Sequence, residues 1–191
     1  MATWAFIGER GYAESMLTDQ QHIVGVVLAG GQSSRMGENK AELLYHGKPL
    51  LEHMMNTLDM AGITDCYVSG YDRGYPYIPD EEKYQGPAFA IRHVMRFLKG
   101  RADKVLFVPV DMPLLSVDFV TYLLAEEQGG YFQDWPLPVL LANGDIKDEK
   151  CGSVYRFLQA QNVPELTIPN ALQHCFVNTN TPEEWQEVLA Q

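Results

Sequence analysis

The feature that most constrains the fold is an unbroken apolar run that ends in a pair of glycines. Residues 23–29 read Ile-Val-Gly-Val-Val-Leu-Ala, and Gly30 and Gly31 follow directly. A run rich in β-branched residues without polar alternation is typical of a strand buried on both faces of a parallel sheet. The paired glycines allow the backbone to approach a ligand closely where that strand ends.

The rest of the chain alternates between strand and helix patterns. Apolar runs predict strands at 66–69, 105–110 and 138–142, and helical spacing predicts helices at 49–58, 91–98, 119–124 and from Thr181 onward, while residues 71–87 predict a long loop. This alternation predicts a single three-layer α/β/α domain with a mainly parallel, Rossmann-like sheet. Residues 1–21 carry no sustained periodicity. We therefore predict an N-terminal extension over 1–21 and one domain over 22–191.

Composition and charge exclude several classes of function. The 191 residues carry 25 acidic and 14 basic side chains, a net charge of −11, which argues against binding to nucleic acid or to an anionic membrane surface. No apolar stretch approaches the roughly 18 residues of a membrane span, and the N-terminus lacks the basic residues of a secretory signal. Three widely spaced cysteines without a CxxC pair predict a reducing cytoplasm and no structural zinc. The five histidines show no ligand spacing either.

The loop after the first strand is a candidate phosphate site. It lacks the Gly-Lys-Ser/Thr of a Walker A loop and the G-x-G-x-x-G spacing of a dinucleotide fold. It does combine close-approaching backbone amides with two cations, Arg35 and Lys40, which suits a nucleoside triphosphate. An ordinary strand-to-helix turn with solvated cations is the alternative interpretation.

Asp111 is a candidate metal ligand because it directly follows the apolar strand at 105–110. Ligands bind beyond the carboxyl ends of strands in open α/β sheets, and a carboxylate there can hold Mg²⁺ through hard oxygen ligands. Asn180, or alternatively Asn178, could supply a second oxygen. Turn and capping chemistry is the alternative for all three side chains.

At this point the chain resembles a known family. The tract L-A-G-G-Q-S-S-R-M-G-E-N-K from Leu28, followed by G-K-P-L, resembles the signature of the nucleotidyltransferase superfamily and, most closely, of the molybdenum cofactor guanylyltransferase (MobA-like) family. Further matches are I-P-D at 78–80, G-P at 86–87, V-P-V-D-M-P at 108–113 and N-T-N-T-P-E-E at 178–184. The resemblance implies a nucleotide-diphospho-sugar-transferase-like fold.

The same resemblance implies an activity, substrates and partners. The reaction is transfer of GMP from GTP to the phosphate of molybdenum-bearing molybdopterin, with release of pyrophosphate. GTP is then the co-substrate, Mg²⁺ the cofactor and a molybdopterin-type small molecule the acceptor. The family also implies transient contact with proteins that mature molybdoenzymes, in the cytoplasm.

The resemblance also assigns roles to individual residues. It implies catalytic roles for Arg35, Lys40 and Asp111, and it makes Asp111 and Asn180 the metal ligands. It implies nucleotide binding by residues in the strand-end segments of the predicted sheet, namely Leu28, Ala29, Gly30, Gly31, Lys40, Ser69, Asp80 and Asp111. Asp80 would accept hydrogen bonds from the guanine or from the ribose hydroxyls, and the sequence leaves both open.

Three departures from the family pattern leave part of the interpretation open. Ser69 stands where the family commonly has a nucleotide-binding asparagine, and Ala90 where it has a glycine. Residues 148–152 stand in place of the usual His-Pro element, so the acceptor is open. Cytidylyl transfer, another small phosphate acceptor or a non-catalytic nucleotide-binding protein remain alternatives. The L-A-G-G form at 28–31 favours guanine, because cytidylyl relatives tend towards T-A-A-G.

Overall fold

The computed structural model describes residues 21–30, 39–80, 86–147 and 152–190. The described strands are β1 (Ile23–Leu28), β2 (Leu44–Tyr45), β3 (Lys48–Pro49), β4 (Cys66–Gly70), β5 (Tyr77–Pro79), β6 (Lys104–Pro109), β7 (Gly130–Phe132), β8 (Trp135–Ala142) and β9 (Glu165–Leu166). The α-helices are α1 (Leu50–Met60), α2 (Pro87–Phe97), α3 (Val117–Leu124), α4 (Val154–Gln161) and α5 (Pro182–Leu189), with 3₁₀ turns at Lys40–Glu42 and Asn170–Cys175.

One sheet organises the domain, and one of its strands, β8, runs against the direction of the others. The strand order is β5-β4-β1-β6-β8-β7-β9, and β2 and β3 form a separate small hairpin. Strands β5, β4, β1 and β6 are parallel to one another, and β7 is parallel to β9, whereas β8 runs antiparallel to both β6 and β7. The prediction of a mainly parallel α/β sheet is confirmed.

Strand β1 is buried on both faces, as its unbroken apolar sequence predicts. Val24, Val26 and Leu28 pack on the face that α2 and α4 cover, and Val27 packs on the face that α1, α3 and α5 cover. Gly25 lies against α1, where an added Cβ would come 3.1 Å from the Leu58 side chain. Two apolar cores on either side of one sheet make the three layers.

The sequence prediction is wrong about two segments, and it does not include helix α4. The expected loop at 71–87 contains strand β5, three residues that pair with β4. Strand β8 begins at Trp135 rather than at Pro138, although prolines usually oppose strand pairing. The prolines are tolerated because β8 pairs with β6 through Val139–Ala142, beyond both of them.

Two features near the chain ends bear on the predictions. The capping box at the start of α5 is confirmed, with Thr181 and Glu184 satisfying each other's backbone amides. Within the described segments, no helix has the length and apolar character that crossing a membrane requires. The predicted extension at 1–21 lies outside the described residues, apart from its last position.

Candidate active site

Four parallel strands end at one edge of the sheet and bring the predicted residues into a row. The register pairs Leu28 with Ser69 on one side and with Pro109 on the other. Asp80 directly follows β5, whereas Gly30 and Asp111 each lie two residues past the end of their strands, β1 and β6. The backbone amide of Val110 donates to the Leu28 carbonyl at 3.2 Å, which keeps β1 and β6 together up to this edge. The row lies where the crossover direction of the sheet reverses, the usual ligand position in such folds.

A 3₁₀ turn brings Lys40 to this edge. Asn39 caps the turn by accepting from the Ala41 amide at 3.3 Å, and its own amide group donates to Glu42 at 2.7 Å. Ala41 is buried and anchors the turn in the core beneath it. The turn therefore holds the Lys40 backbone in place, and the side chain extends towards the end of β6.

The Lys40 ammonium joins the two predicted metal ligands. Its Nζ atom lies 3.2 Å from Oδ2 of Asp111 and 2.8 Å from Oδ1 of Asn180. The exposed fractions are 15% for the Lys40 side chain and 27% for that of Asp111, so solvent reaches the pair but screens it only in part. Lys40 and Asn180 are 140 positions apart in sequence. A predicted cation and two predicted metal ligands, far apart in sequence, therefore lie together at the sheet edge.

Asp111 and Asn180 are themselves held by backbone and capping contacts. The Thr179 amide donates to the Asp111 carbonyl at 2.9 Å, and the Thr179 side chain is fully buried. The Glu184 carboxylate accepts from the backbone amides of Asn180 and Thr181. The start of helix α5 therefore fixes the segment that carries Asn180. The capping box not only begins the helix but also holds a residue of the candidate site in position.

A pocket of about 440 Å³ opens over this cluster. Its walls include Leu28, Ala29 and Gly30 from the end of β1 and Pro109, Val110 and Asp111 from the end of β6, with Lys40 at the side. Asn178 also lines the pocket, so both candidate asparagines lie at the site, although Asn180 is the one that bonds Lys40. A pocket of this size has room for part of a nucleoside triphosphate.

Ser69 and Asp80 form a second group beside the pocket. The Ser69 hydroxyl donates to Oδ1 of Asp80 at 3.4 Å, and a Cβ added at Gly30 would lie 3.2 Å from Oδ2 of the same carboxylate. Burial raises the pKa of Asp80, while the Ser69 hydrogen bond and the positive field of His93 lower it to a smaller extent. The absence of a side chain at Gly30 keeps this carboxylate close to the end of β1.

The oxygens of the site fit a small divalent cation. Asp111 Oδ2 and Asn180 Oδ1 already converge on one positive charge, the Lys40 ammonium. Among the described residues, no group of three or more His, Cys, Asp or Glu side chains forms a metal cluster. Mg²⁺ suits such a sparse set, because it binds through one or two protein oxygens and completes its shell with substrate phosphates and water.

The structure brings most of the predicted residues together. Leu28, Ala29, Gly30, Lys40, Ser69, Asp80, Asp111 and Asn180 all lie along the one edge. Gly31 and Arg35 lie outside the described residues, so their predicted roles stay predictions. Residues 148–151, where the family pattern fails, also lie outside them.

Sequence reasoning missed two parts of the surroundings. The turn between β7 and β8 contributes Asp134 to the pocket wall, and the start of β8 contributes Trp135, Pro136 and Leu137. In addition, Arg73 lies near the end of β1, with Nη2 3.5 Å from the Ala29 carbonyl. The sequence pointed to Arg73 only through its place in a long Pro/Gly-rich segment. The start of β8 was not predicted because prolines at 136 and 138 are unusual within a strand.

Solved structures of related fold are consistent with this architecture. The molybdopterin-guanine dinucleotide biosynthesis protein A from Archaeoglobus fulgidus superposes with a TM-score of 0.62 at 18% identity, covering 87% of this chain and 97% of that chain. A Mycobacterium tuberculosis protein solved as a complex with manganese has a TM-score of 0.62 at 15% identity, covering 89% and 99%. At these identities the likeness concerns the fold alone.

Sequence comparisons give the family. A molybdenum cofactor guanylyltransferase from Xanthomonas euvesicatoria pv. vesicatoria (strain 85-10) is 36% identical over 188 residues, covering 91% of this chain and 97% of the relative. A second one, from Vibrio atlanticus (strain LGP32), is 30% identical over 183 residues and covers 83% and 91%. Residues 25–135 match the profile of the MobA-like NTP transferase domain. The chain belongs to the MobA-like NTP transferase family and is a nucleotidyltransferase.

Proposed function

We propose that this chain transfers GMP from GTP to the phosphate of molybdenum-bound molybdopterin, producing molybdopterin guanine dinucleotide and pyrophosphate. The observation that carries the proposal is the meeting of Lys40, Asp111 and Asn180 within 3.2 Å at the sheet edge. The guanylyltransferase relatives, which align along almost their whole length, support the choice of reaction.

The proposed reaction exchanges one phosphoanhydride for another. An oxygen of the acceptor phosphate forms a bond to the α-phosphorus of GTP, and the bond from that phosphorus to the bridging oxygen of the β-phosphate breaks. Pyrophosphate leaves with the electron pair. The attacking oxygen is already anionic at neutral pH, so no side chain needs to remove a proton. The protein positions the two substrates and offsets negative charge.

Lys40 is the residue best placed to offset that charge. Its ammonium group is a compact cation that can turn from Asp111 and Asn180 towards phosphate oxygens a few ångströms away. Arg35, by its predicted position in the same loop, would add a forked contact to the phosphates. We assign the two side chains to the leaving pyrophosphate.

Mg²⁺ is the metal that we propose, held by Asp111 and Asn180. When bound, it would polarise phosphate oxygens and neutralise charge on the triphosphate. The manganese complex of a protein with the same fold supports a divalent cation in general. Asp111 and Asn180 give two oxygen ligands on separate loops, and Thr179 and Glu184 hold those loops in position.

We place the guanosine at the other end of the row. The backbone of Leu28, Ala29 and Gly30 would contact the nucleotide, and the carboxylate of Asp80 would accept from the base or the ribose. Its hydrogen bond from Ser69 and its closeness to Gly30 support this placement. Ser69 then orients Asp80 and need not contact the base itself.

The remaining proposals concern the boundaries and the setting of the enzyme. We assign the transferase domain to residues 22–191 and treat residues 1–21 as an N-terminal extension. Cys66 and Cys175 are free thiols, which supports a reducing cytoplasm. Proteins that mature molybdoenzymes are the proposed recipients of the product.

Labelled GTP tests the proposal directly. The full chain is incubated with Mg²⁺, GTP and molybdenum-bound molybdopterin, and pyrophosphate and labelled dinucleotide are measured. We expect both products in equal amounts, and little product when ATP, UTP or CTP replaces GTP. Product from CTP alone would reject the guanine assignment. Pyrophosphate release only with a different phosphate acceptor would reject the molybdopterin assignment.

A further inference from the structure

The turn between β7 and β8 forms one wall of the pocket, and the proposed nucleotide contacts leave it unused. Asp134 from this turn and Trp135, Pro136 and Leu137 from the start of β8 line the pocket there. We infer that this turn and the start of β8 together form the acceptor wall and that the Trp135 indole stacks on the flat pterin ring of the acceptor. This inference rests on the proposed function and names the residue that would recognise its second substrate.

The position of the turn along the sheet edge supports this assignment. Strand β8 is the next strand after β6 in the sheet, and it runs antiparallel, so its first residues lie at the edge where β1 and β6 end. Phe107 pairs with Val139 at the last position where β6 and β8 are paired. If this register is continued by four residues, forward in sequence from Phe107 and backward from Val139, Asp111 comes level with Trp135. The nucleotide is assigned to the ends of β5, β4 and β1. The start of β8 therefore lies on the other side of β6 from the strands assigned to the nucleotide, and no nucleotide contact is assigned to it.

The charges of the pocket set the direction in which an acceptor would lie. Lys40 marks the end where phosphates are stabilised, and Asp134 places a carboxylate on the turn. Since like charges repel, the acceptor phosphate is drawn away from Asp134 and towards Lys40. The uncharged ring of the acceptor then lies beside the turn, where Trp135 is.

Trp135 is held in a way that suits stacking. It is half-buried, and its ring lies 5.3 Å from that of Phe176 at an interplanar angle of 60°, so one side of the indole rests on the aromatic core. The residue also lines the pocket, which leaves it in reach of a ligand. Flat heteroaromatic rings stack on such side chains, and the strength of the stacking depends little on which substituents the ring carries. Recognition would therefore follow the shape of the pterin ring.

Steady-state kinetics of four variants tests the inference. In Trp135→Ala and Trp135→Leu we expect the KM for molybdenum-bound molybdopterin to rise about tenfold, the loss typical of one stacking contact. The KM for GTP should stay unchanged in both. Trp135→Phe should keep the acceptor KM within about threefold of the wild type, because it retains a flat ring. Phe97→Ala removes an exposed aromatic ring on α2, away from the pocket, and should change neither KM.

The comparison of Leu with Phe separates recognition from folding. Both variants keep an apolar side chain against Phe176, and thermal melts show whether each variant folds. An unchanged acceptor KM in Trp135→Leu overturns the inference, and so does an equal rise of the KM values for GTP and acceptor. Failure of the wild-type chain to make dinucleotide from this acceptor is a different result. It rejects the proposed function, and the inference falls with it.

Discussion

The two halves of the sheet edge are built differently, and they are recognisable from sequence to different degrees. On the parallel side, β5, β4, β1 and β6 present backbone and single polar residues directly at their ends. On the side that contains the antiparallel strand β8, the turn after β7 and the first residues of β8 form the wall with their side chains. Parallel ends impose strict local requirements, such as a missing side chain at Gly30. A hairpin wall imposes few, so its sequence carries a weaker signature.

Lys40 lies at the junction of the two halves, and its removal should have the largest effect. In Lys40→Ala we expect kcat to fall about 10³-fold, because the charge that offsets the leaving pyrophosphate is lost. Pyrophosphate release measures the rate. The matched control is Lys99→Ala, which breaks an exposed ion pair with Asp145 and should leave kcat unchanged. A wild-type rate in Lys40→Ala would mean that the Lys40 side chain takes no part in the reaction.

The variant Asp111→Asn tests whether the Asp111 carboxylate binds the metal ion. We expect kcat to fall about 10²-fold, with the half-saturating Mg²⁺ concentration raised, because a neutral amide binds Mg²⁺ more weakly. Rates measured across a Mg²⁺ titration give both values. Asp145→Asn on the surface is the matched control. If the variant kept its Mg²⁺ dependence, the metal would have to lie elsewhere.

Glu184→Ala tests whether α5 acts on the junction through Asn180. The variant loses the acceptor for the amides of Asn180 and Thr181, so we expect about tenfold lower activity and a raised Mg²⁺ requirement. Glu183→Ala removes an exposed carboxylate from the same helical turn and serves as the control. Equal effects of the two changes would mean that helix stability, and not the position of Asn180, is what matters.

Asp80→Asn should have the smallest effect, on the parallel side alone. Because burial raises the pKa of Asp80 above its unfolded value near 3.9, its contribution to stability falls as the pH rises through the folded-state pKa. The variant should therefore melt at a higher temperature than the wild type at pH 7, and the difference should vanish as the pH falls below the unfolded-state pKa. Melting curves between pH 3.5 and 8 measure it, using buffers matched in ionic strength.

The same variant sharpens the division between the two halves. We expect the KM for GTP to rise and the acceptor KM to stay constant, since Asp80 lies beyond Gly30 and away from the β7–β8 turn. Ser69→Ala should give the same pattern in weaker form. An acceptor KM that moved with the GTP KM would show that the halves act as one surface.

How much the sequence predicted depended on how local the cause was. Strand β1 was predictable because burial on both faces requires an unbroken apolar run, and α5 because its capping box is complete within four residues. Strand β5 was not, since three residues leave no period to detect. Helix α4 was missed because Val154, Phe157 and Leu158 are its few buried positions.

The residues of the candidate site show the same distinction between local and long-range causes. Lys40 and Asp111 were predictable from an ordered motif, and the 3₁₀ turn at Lys40–Glu42 brings the two side chains within 3.2 Å of each other. Trp135 was not, because its place in the pocket depends on an antiparallel neighbour pairing beyond two prolines. Long-range pairing of this kind leaves no trace within a short sequence window.

The hydrogen bond between Lys40 and Asn180 has a consequence for the newly made protein. It joins the 3₁₀ turn at Lys40–Glu42 to the segment just before α5, two parts of the chain that lie 140 positions apart. A nascent chain still emerging from the ribosome carries Lys40 long before Asn180 has been made. Under the roles proposed above, such a chain lacks one of the two metal ligands, so we expect it to be inactive until its C-terminal residues are in place.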